Sequence, residues 1–88
     1  MDAELPLTSL REGESGVVTS IKPRGRGRYG GVGLGLQRRL LDMGLTPGTK
    51  VVVVKSSPFG GPLEVQVRGS RLAIGRGVAE RIYVKVER

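Results

Sequence analysis

Alternating apolar and polar residues mark two strands in the second half of the chain. Over 63–67 and 82–87 an apolar side chain recurs at every second position, with polar or charged residues between. This period is that of a strand with one buried face. A run of four valines within 50–56 predicts a central strand, and apolar groups within 16–22 and 71–74 predict two more. Five short strands are therefore expected.

Tight turns that contain glycine and proline separate these strands. Residues 57–62 are expected to form a hairpin loop, 68–70 a second turn, and 75–80 a single helical turn. Near the start, Thr8 or Ser9 can cap another helical turn, and Ser9 through Glu12 fits the capping-box pattern. Short strands joined by tight turns favour a closed or nearly closed barrel, which removes exposed sheet edges.

A short helix with a complete stop signal lies between the first and second predicted strands. Leu36, Leu40 and Met43 fall on one helical face. Gly44 stands where a residue with positive φ ends a helix, and Leu45 is then expected to touch Leu40, as in a Schellman ending. The residues of this motif are Leu40, Met43, Gly44, Leu45, Pro47 and Gly48. The predicted fold class is therefore mainly β, a five-stranded barrel with one short α-helix between its first two strands.

The composition restricts the chemistry that this protein can perform. Its 88 residues predict one domain, with little room for both a core and a large cleft. The chain has no Cys and no His, so it lacks a thiol nucleophile and the usual general base at neutral pH. An enzyme is therefore disfavoured. No apolar run approaches the roughly 20 residues that span a bilayer, and the acidic start predicts no signal segment. We expect a cytoplasmic protein, with peripheral attachment to the inner face of the membrane left open.

The charge is concentrated in one segment. The chain carries a net charge of +7, and residues 22–39 hold six of its 15 basic residues and no acid. Residues 23–35 also contain six of the 15 glycines. Such a segment buries too little apolar surface to offset its ordering entropy, so we expect a mobile loop or a partly ordered hairpin extension.

The Gly/Arg-rich loop has several possible roles. Its glycines at 25, 27 and 30 match a dinucleotide-binding string, but the chain lacks the βαβ context that the motif requires. Arg24, Arg26 and Arg28 resemble tracts that bind RNA, although one aromatic residue gives little stacking. Nucleic-acid binding, a protein or membrane-surface partner, and no specific role all stay open.

Four other residues are candidate contacts. Arg38, Arg39 and Asp42 are expected on the helix, where the arginines either form a solvated face or meet an acidic partner. Phe59, the only phenylalanine, is expected to fold back as a lid on the core; otherwise it is an exposed anchor. The eight carboxylates are scattered without a close cluster, so we expect neither a metal site nor a cofactor.

The chain resembles a FeoA-type domain, the small cytoplasmic accessory of ferrous-iron uptake. The residues that carry the likeness are 7–10 with Gly13 and 16–18, 39–45 with Pro47 and Gly48, 58–67 with Gly69, and 72–74 with Ala79 and 82–84. The basic loop is longer than this family leads us to expect. The resemblance implies one SH3-like barrel over 1–88. It also implies a partner, the FeoB-type ferrous-iron transporter with its cytoplasmic GTP-binding region. Fe²⁺ would then be involved only through the transporter.

Two functions therefore compete. The first is a non-catalytic accessory that binds and modulates the transporter through the helix and the hairpin tip. The alternative is a small basic RNA-binding barrel that acts through Arg24, Arg26 and Arg28. Added salt separates them, because phosphate contacts release counterions and weaken as salt rises. The oligomeric state is not predicted.

Overall fold

The computed structural model of the chain describes residues 4–22, 38–57 and 59–87. Within these residues six strands form one antiparallel sheet, in the order β1-β6-β2-β3-β4-β5. The strands are β1 (Glu4–Pro6), β2 (Ser15–Ile21), β3 (Lys50–Ser56), β4 (Leu63–Val67), β5 (Ser70–Ile74) and β6 (Ile82–Glu87). The helical elements are a 3-10 turn, η1 (Leu7–Ser9), the helical residues 38–42, here called α1, and α2 (Arg76–Ala79).

The five predicted strands are confirmed as β2 to β6, and the helical turn predicted over 75–80 is α2. The expected total of five is wrong by one, because β1 adds a strand at the sheet edge. Its three residues pair with β6, from Glu4 opposite Lys85 to Pro6 opposite Tyr83. A three-residue strand is too short to show a period of two. Pro6 can occupy it because a strand at an edge can do without one backbone donor.

The predicted capping of the first helical turn is wrong. The turn is η1, which begins directly after Pro6, and no side chain caps it. Thr8 and Ser9 lie inside the turn and not before it. The turn begins at Leu7, whose side chain is fully buried in the core. Glu12 does not complete a capping box. Its carboxylate accepts the backbone N–H of Ser56 at 2.9 Å and so ties this segment to β3.

The helix ending at Gly44 is confirmed in detail. Gly44 has a φ of +89°. The N–H of Leu45 bonds to the carbonyl of Leu40 at 2.8 Å, and the N–H of Gly44 bonds to the carbonyl of Leu41 at 3.0 Å. This is the bond pattern of a Schellman motif. Leu40 and Leu45 are 2% and 0% exposed, so the ending also anchors α1 in the core. Leu36 lies outside the described residues.

Both predicted turns around β3 and β4 are present. The chain turns at Pro47 and Gly48 into β3, and the N–H of Thr49 bonds to the carbonyl of Thr46 at 3.0 Å. Arg68 and Gly69 link β4 to β5 with φ values of +52° and +83°. Positive φ at both central residues defines the type I′ turn that suits the twist of a two-residue hairpin.

Helical elements help to close the sheet into a barrel. The two edge strands are β1 and β5, and they are followed directly by η1 and α2, which contact each other. The core lies inside, and aliphatic side chains from the strands and helical elements fill it. Its fully buried larger members are Leu7, Leu40, Leu45, Leu63, Ile82, Val18, Val51, Val53, Val65, Val67 and Val84.

Candidate functional site

Helix α1 presents a polar, mainly basic face to solvent. Leu40 is buried and Met43 packs against the core, so they fix the inward side of the helix. Arg38, Arg39 and Asp42 are all exposed, as expected. Leu41 is also 51% exposed, which places an apolar side chain among these charges. Leu41 could have been found from the sequence, because it lies off the apolar face that contains Leu40 and Met43.

A shallow groove separates α1 from the junction of β5 and α2. We call it the α1–α2 groove. Its walls are formed by Arg39, Leu40, Met43, Ala73, Ile74, Gly75 and Val78. Its volume is about 120 Å³. Small-molecule and cofactor sites usually measure about 300–1,000 Å³, so this groove is the size for one side chain and not for a nucleotide.

Helix α2 connects this groove to the hairpin between β3 and β4. Gly75 lines the groove, and the next residue, Arg76, donates a hydrogen bond from Nη2 to the carbonyl of Ser57 at 3.0 Å. Ser57 lies at the base of the hairpin loop, where its hydroxyl also donates to the carbonyl of Pro62 at 3.1 Å. The basic face of α1, the groove and the hairpin therefore follow one another on the surface.

Phe59 does not act as a lid. Its side chain is 96% exposed at the tip of the hairpin. The bond from Ser57 to Pro62 closes the loop at its base, so the tip projects beyond the strands. Leu63, the first residue of the strand after the hairpin, is already fully buried. The expected fold-back is thus wrong, and Phe59 has the geometry of an exposed anchor.

The arginines of α1 carry charge that is not neutralised within the described part of the chain. Ion pairs in this part of the chain join Lys22 to Glu4 at 3.4 Å and Lys50 to Glu87 at 3.7 Å. Neither pair includes Arg38 or Arg39. Both guanidinium groups can therefore meet an acidic surface without first breaking an ion pair between described residues.

Other predicted features lie elsewhere or outside the structure described. Arg24, Arg26 and Arg28, with the rest of the 23–35 loop, fall outside the described residues. Among residues 4–22, 38–57 and 59–87, no three carboxylates come close enough to hold a metal ion. No helix in the same residues is long and apolar enough to cross a membrane.

The groove itself was not predicted from the sequence. Three of its seven lining residues come from α1 and the residue that follows it, and the other four are Ala73, Ile74, Gly75 and Val78, which are distant in sequence. Nothing in the local pattern of residues 73–78 distinguishes a groove wall from ordinary core packing. Their juxtaposition depends on how α1 packs against the sheet.

Together, the six-stranded antiparallel sheet and its short helices define a small SH3-like barrel. The model of the FeoA domain matches residues 5–86, and the chain belongs to the FeoA family. This is a family of ferrous-iron transport accessory proteins. The expected family and fold class are thereby confirmed.

Known relatives match this chain over most of their length. The "Putative Fe(2+) transport protein A" of Methanocaldococcus jannaschii is 35% identical over 80 residues, which cover 91% of this chain and 84% of that protein. The crystal structure of an iron uptake regulatory protein (FeoA) superposes with a TM-score of 0.77 and 34% identity, covering 97% of this chain and 99% of that one. The zinc complex of Stenotrophomonas maltophilia FeoA, described as a prokaryotic SH3 domain protein, gives a TM-score of 0.72 and 30% identity, covering 100% and 96%.

Proposed function

We propose that this protein is a non-catalytic accessory of ferrous-iron uptake. In this proposal it works in the cytoplasm and binds the cytoplasmic GTP-binding region of a FeoB-type membrane transporter. The observation that carries the proposal is the run of exposed features along one side of the barrel. Arg38 and Arg39 lie on the α1 side of the α1–α2 groove, and Arg76 follows Gly75 on the other side. The hydrogen bond from Arg76 to Ser57 connects this side to the hairpin whose tip carries Phe59.

A binding role suits this surface better than chemistry. General acid–base catalysis near neutral pH usually depends on histidine or on a strongly shifted carboxylate held in a cleft. The chain contains no histidine, and the α1–α2 groove is lined by Arg39 and otherwise by apolar residues or glycine. An exposed phenylalanine and two adjacent arginines are instead residue types that are common at protein interfaces.

Modulation of the transporter then follows from binding to one of its states. A bound accessory shifts a conformational equilibrium only by its difference in affinity for the two states. In our proposal the barrel prefers either the nucleotide-bound or the nucleotide-free form of the GTP-binding region, and so changes its GTP turnover. Fe²⁺ is the cargo of the transporter in this scheme and not a cofactor of the barrel.

The test is a titration of the purified chain into the cytoplasmic region of the transporter, loaded in turn with GTP analogue, with GDP and with no nucleotide. Saturable binding that differs among these states, together with a changed rate of GTP hydrolysis, is expected. If the chain binds none of these three states, the proposal is overturned. A chain with alanine at positions 24, 26 and 28 serves as the control for the basic loop.

The same preparation tests the RNA alternative. RNA binding through these arginines should fall steeply between about 50 mM and 200 mM salt, because several phosphate contacts release counterions. It should also be lost in the triple-alanine chain. If RNA is retained while the transporter is ignored, the RNA function replaces the proposed one.

A further inference from the structure

Among the described residues, strand β5 leaves backbone groups without a hydrogen-bond partner along one edge of the sheet. It is the last strand in the sheet order and pairs with β4, from Val67 opposite Ser70 next to the two-residue turn. The residues that flank such a turn form a hydrogen-bonded pair, and bonded and non-bonded pairs then alternate. Arg71 and Ala73 therefore direct their N–H and C=O groups away from β4. Both residues are exposed.

In the described part of the chain, this edge has only one of the usual protections against pairing, the charged side chain of Arg71. Sheet edges are commonly shortened, covered, bulged or interrupted by proline. The other edge strand, β1, has three residues and ends at Pro6. In contrast, β5 has five residues and no proline, and its register with β4 is continuous. No described residue outside β4 hydrogen-bonds to its backbone. The edge is therefore able to accept another strand.

The α1–α2 groove opens beside this edge. Ala73 and Ile74 belong to β5 and line the groove, opposite Leu40 and Met43 of the α1 segment. In strand addition, backbone hydrogen bonds supply affinity, and pockets for alternate side chains supply specificity. A volume of about 120 Å³ is enough for one aliphatic side chain of an added strand.

The charges around the edge favour an acidic ligand. Arg39 lines the groove, Arg38 precedes it, and Arg71 lies on β5; within the described residues none of them is in an ion pair. The acids of the same region are Asp42 on α1 and Glu64 on β4, which lies opposite Lys55 of β3 and opposite Ala73 of β5 in the strand register. A second copy of the chain fits poorly. Symmetric pairing of two β5 edges would bring like-charged Arg71 side chains together and join two chains of net charge +7.

We propose that the β5 edge and the α1–α2 groove bind an extended acidic segment of a partner protein. The segment lies beside β5 as an added strand and bonds to the free backbone groups of Arg71 and Ala73. One aliphatic side chain enters the groove, and neighbouring carboxylates meet Arg39 and Arg71. This inference goes beyond the proposed function, since it holds whichever protein supplies the segment.

Amide hydrogen exchange of the full chain, measured by NMR, tests the inference. The probe is a capped synthetic peptide of alternating glutamate and valine with leucine at its centre. At saturation, exchange of the Arg71 and Ala73 amides should slow by at least about tenfold, because they become hydrogen-bonded. The Leu72 amide, which lies in a bonded pair with Val65, is the internal control and should change little.

Two altered peptides separate strand addition from simple charge attraction. A peptide with lysine in place of glutamate should not bind. A peptide N-methylated on the amides that face β5 should also fail, because it keeps its charge but cannot form the ladder. Binding of the original peptide without protection of Arg71 and Ala73, equal binding of the lysine peptide, or no binding at millimolar concentration would each overturn the inference.

Variants of the chain complete the test. Ala73→Pro removes an N–H that the β4–β5 ladder does not use, and Arg71→Glu reverses a charge at the edge. Each should weaken peptide binding at least fivefold, whereas Lys50→Glu, on β3, makes the same charge change and should not. If Ala73→Pro does not fold, peptide binding by Arg71→Glu and the failure of the N-methylated peptide to bind decide whether the inference stands. Full peptide binding by folded Arg71→Glu and Ala73→Pro would overturn this inference alone; a chain that binds the peptide but ignores the transporter would overturn only the proposed function.

Discussion

Arg76 donates a hydrogen bond from Nη2 to the backbone carbonyl of Ser57 at 3.0 Å, and this bond joins α2 to the base of the β3–β4 hairpin. It links two parts of the candidate surface that are separated in sequence. On one side is the α1–α2 groove, whose wall includes Gly75, and on the other is the tip that carries Phe59. Because the base is fixed, the tip holds Phe59 in solvent at a defined place relative to the groove.

The first prediction concerns Phe59. Phe59→Ala should change the free energy of unfolding by less than about 0.5 kcal/mol, because the 96% exposed ring has few contacts to lose. Binding to the transporter region should weaken by at least about fivefold, the effect of truncating an interface residue worth 1 kcal/mol. Urea denaturation measures the first quantity and calorimetric titration the second.

Leu63→Ala is the matched control in the same hairpin. Leu63 is fully buried, so its truncation should cost about 2–5 kcal/mol. A loss of similar size for Phe59→Ala would show that the ring packs on the core in solution, and unchanged transporter binding would remove Phe59 from the interface.

The second prediction concerns the end of α1. Gly44→Val should destabilise the fold by roughly 1–2 kcal/mol, because a side chain with Cβ at positive φ crowds the following carbonyl. An added Cβ would meet Arg68 and Val67 at 3.6 and 3.7 Å, which are ordinary contacts. The Cβ itself therefore adds no clash, and the expected cost arises from the positive φ. Thermal and urea unfolding followed by circular dichroism would measure it.

Gly77→Ala gives the opposite sign and serves as the control. Gly77 lies in α2, and a Cβ added there meets no described atom within 4 Å. Alanine should stabilise this helical position by about 0.5–1 kcal/mol relative to glycine. Equal effects of the two substitutions would contradict the assignment of the Gly44 cost to backbone conformation.

Local chemistry explains why much of the fold could be predicted. The alternation over 63–67 and 82–87 identifies strands because one buried face imposes a period of two. Gly44 identifies the end of a helix because glycine adopts positive φ without a steric penalty. Both signals depend only on neighbouring residues. The residues carrying the family resemblance likewise follow one another along the chain.

The remaining features depend on distant parts of the chain. Strand β1 exists because Glu4 to Pro6 lie against β6, and three residues alone show no period. Whether Phe59 folds back depends on whether the core has room beneath the hairpin, which its own sequence does not reveal. The groove requires Met43 and Val78 to lie around the same depression, so it appears only after tertiary packing.

The third prediction concerns acid stability. The Thr19 hydroxyl donates to a Glu4 carboxylate oxygen at 2.6 Å, and this bond, with the nearby Lys22, lowers the pKa of Glu4 below its ordinary value of 4.5. A pKa that is lower in the folded chain stabilises the fold above the unfolded-state value, and this contribution is lost as the pH falls through the folded-state value. Stability should therefore decline below pH 4.5.

Glu4→Gln tests this sign. The amide cannot titrate, so the melting temperature of the variant should fall less than that of the natural chain between about pH 5 and pH 3, the range around a free glutamate. Parallel curves for Glu4→Gln and the natural chain would exclude the Glu4 contribution.

The fourth prediction concerns metal binding. We expect no stoichiometric micromolar site for Zn²⁺ or Fe²⁺ in the isolated chain, because it has neither the imidazole nor the thiolate ligands that such ions favour. Anaerobic calorimetry with each ion is the measurement. The zinc complex of the Stenotrophomonas maltophilia relative makes the comparison informative, and that protein can serve as the positive control. A stoichiometric heat with this chain would contradict the prediction.

The last prediction concerns the basic face of α1. Arg39→Glu should weaken binding to the transporter region by more than about tenfold, because an arginine that meets carboxylates at an interface is replaced by a like charge. Folding should be unaffected, since Arg39 is exposed and no ion pair holds it within the described residues. Lys50→Glu changes the net charge equally but lies at the start of β3, where it breaks one exposed pair with Glu87. Such pairs contribute only about 0–1 kcal/mol, so this control should keep both fold and binding. If both variants lose affinity alike, total charge and not the α1 face governs association; if neither does, α1 lies outside the interface.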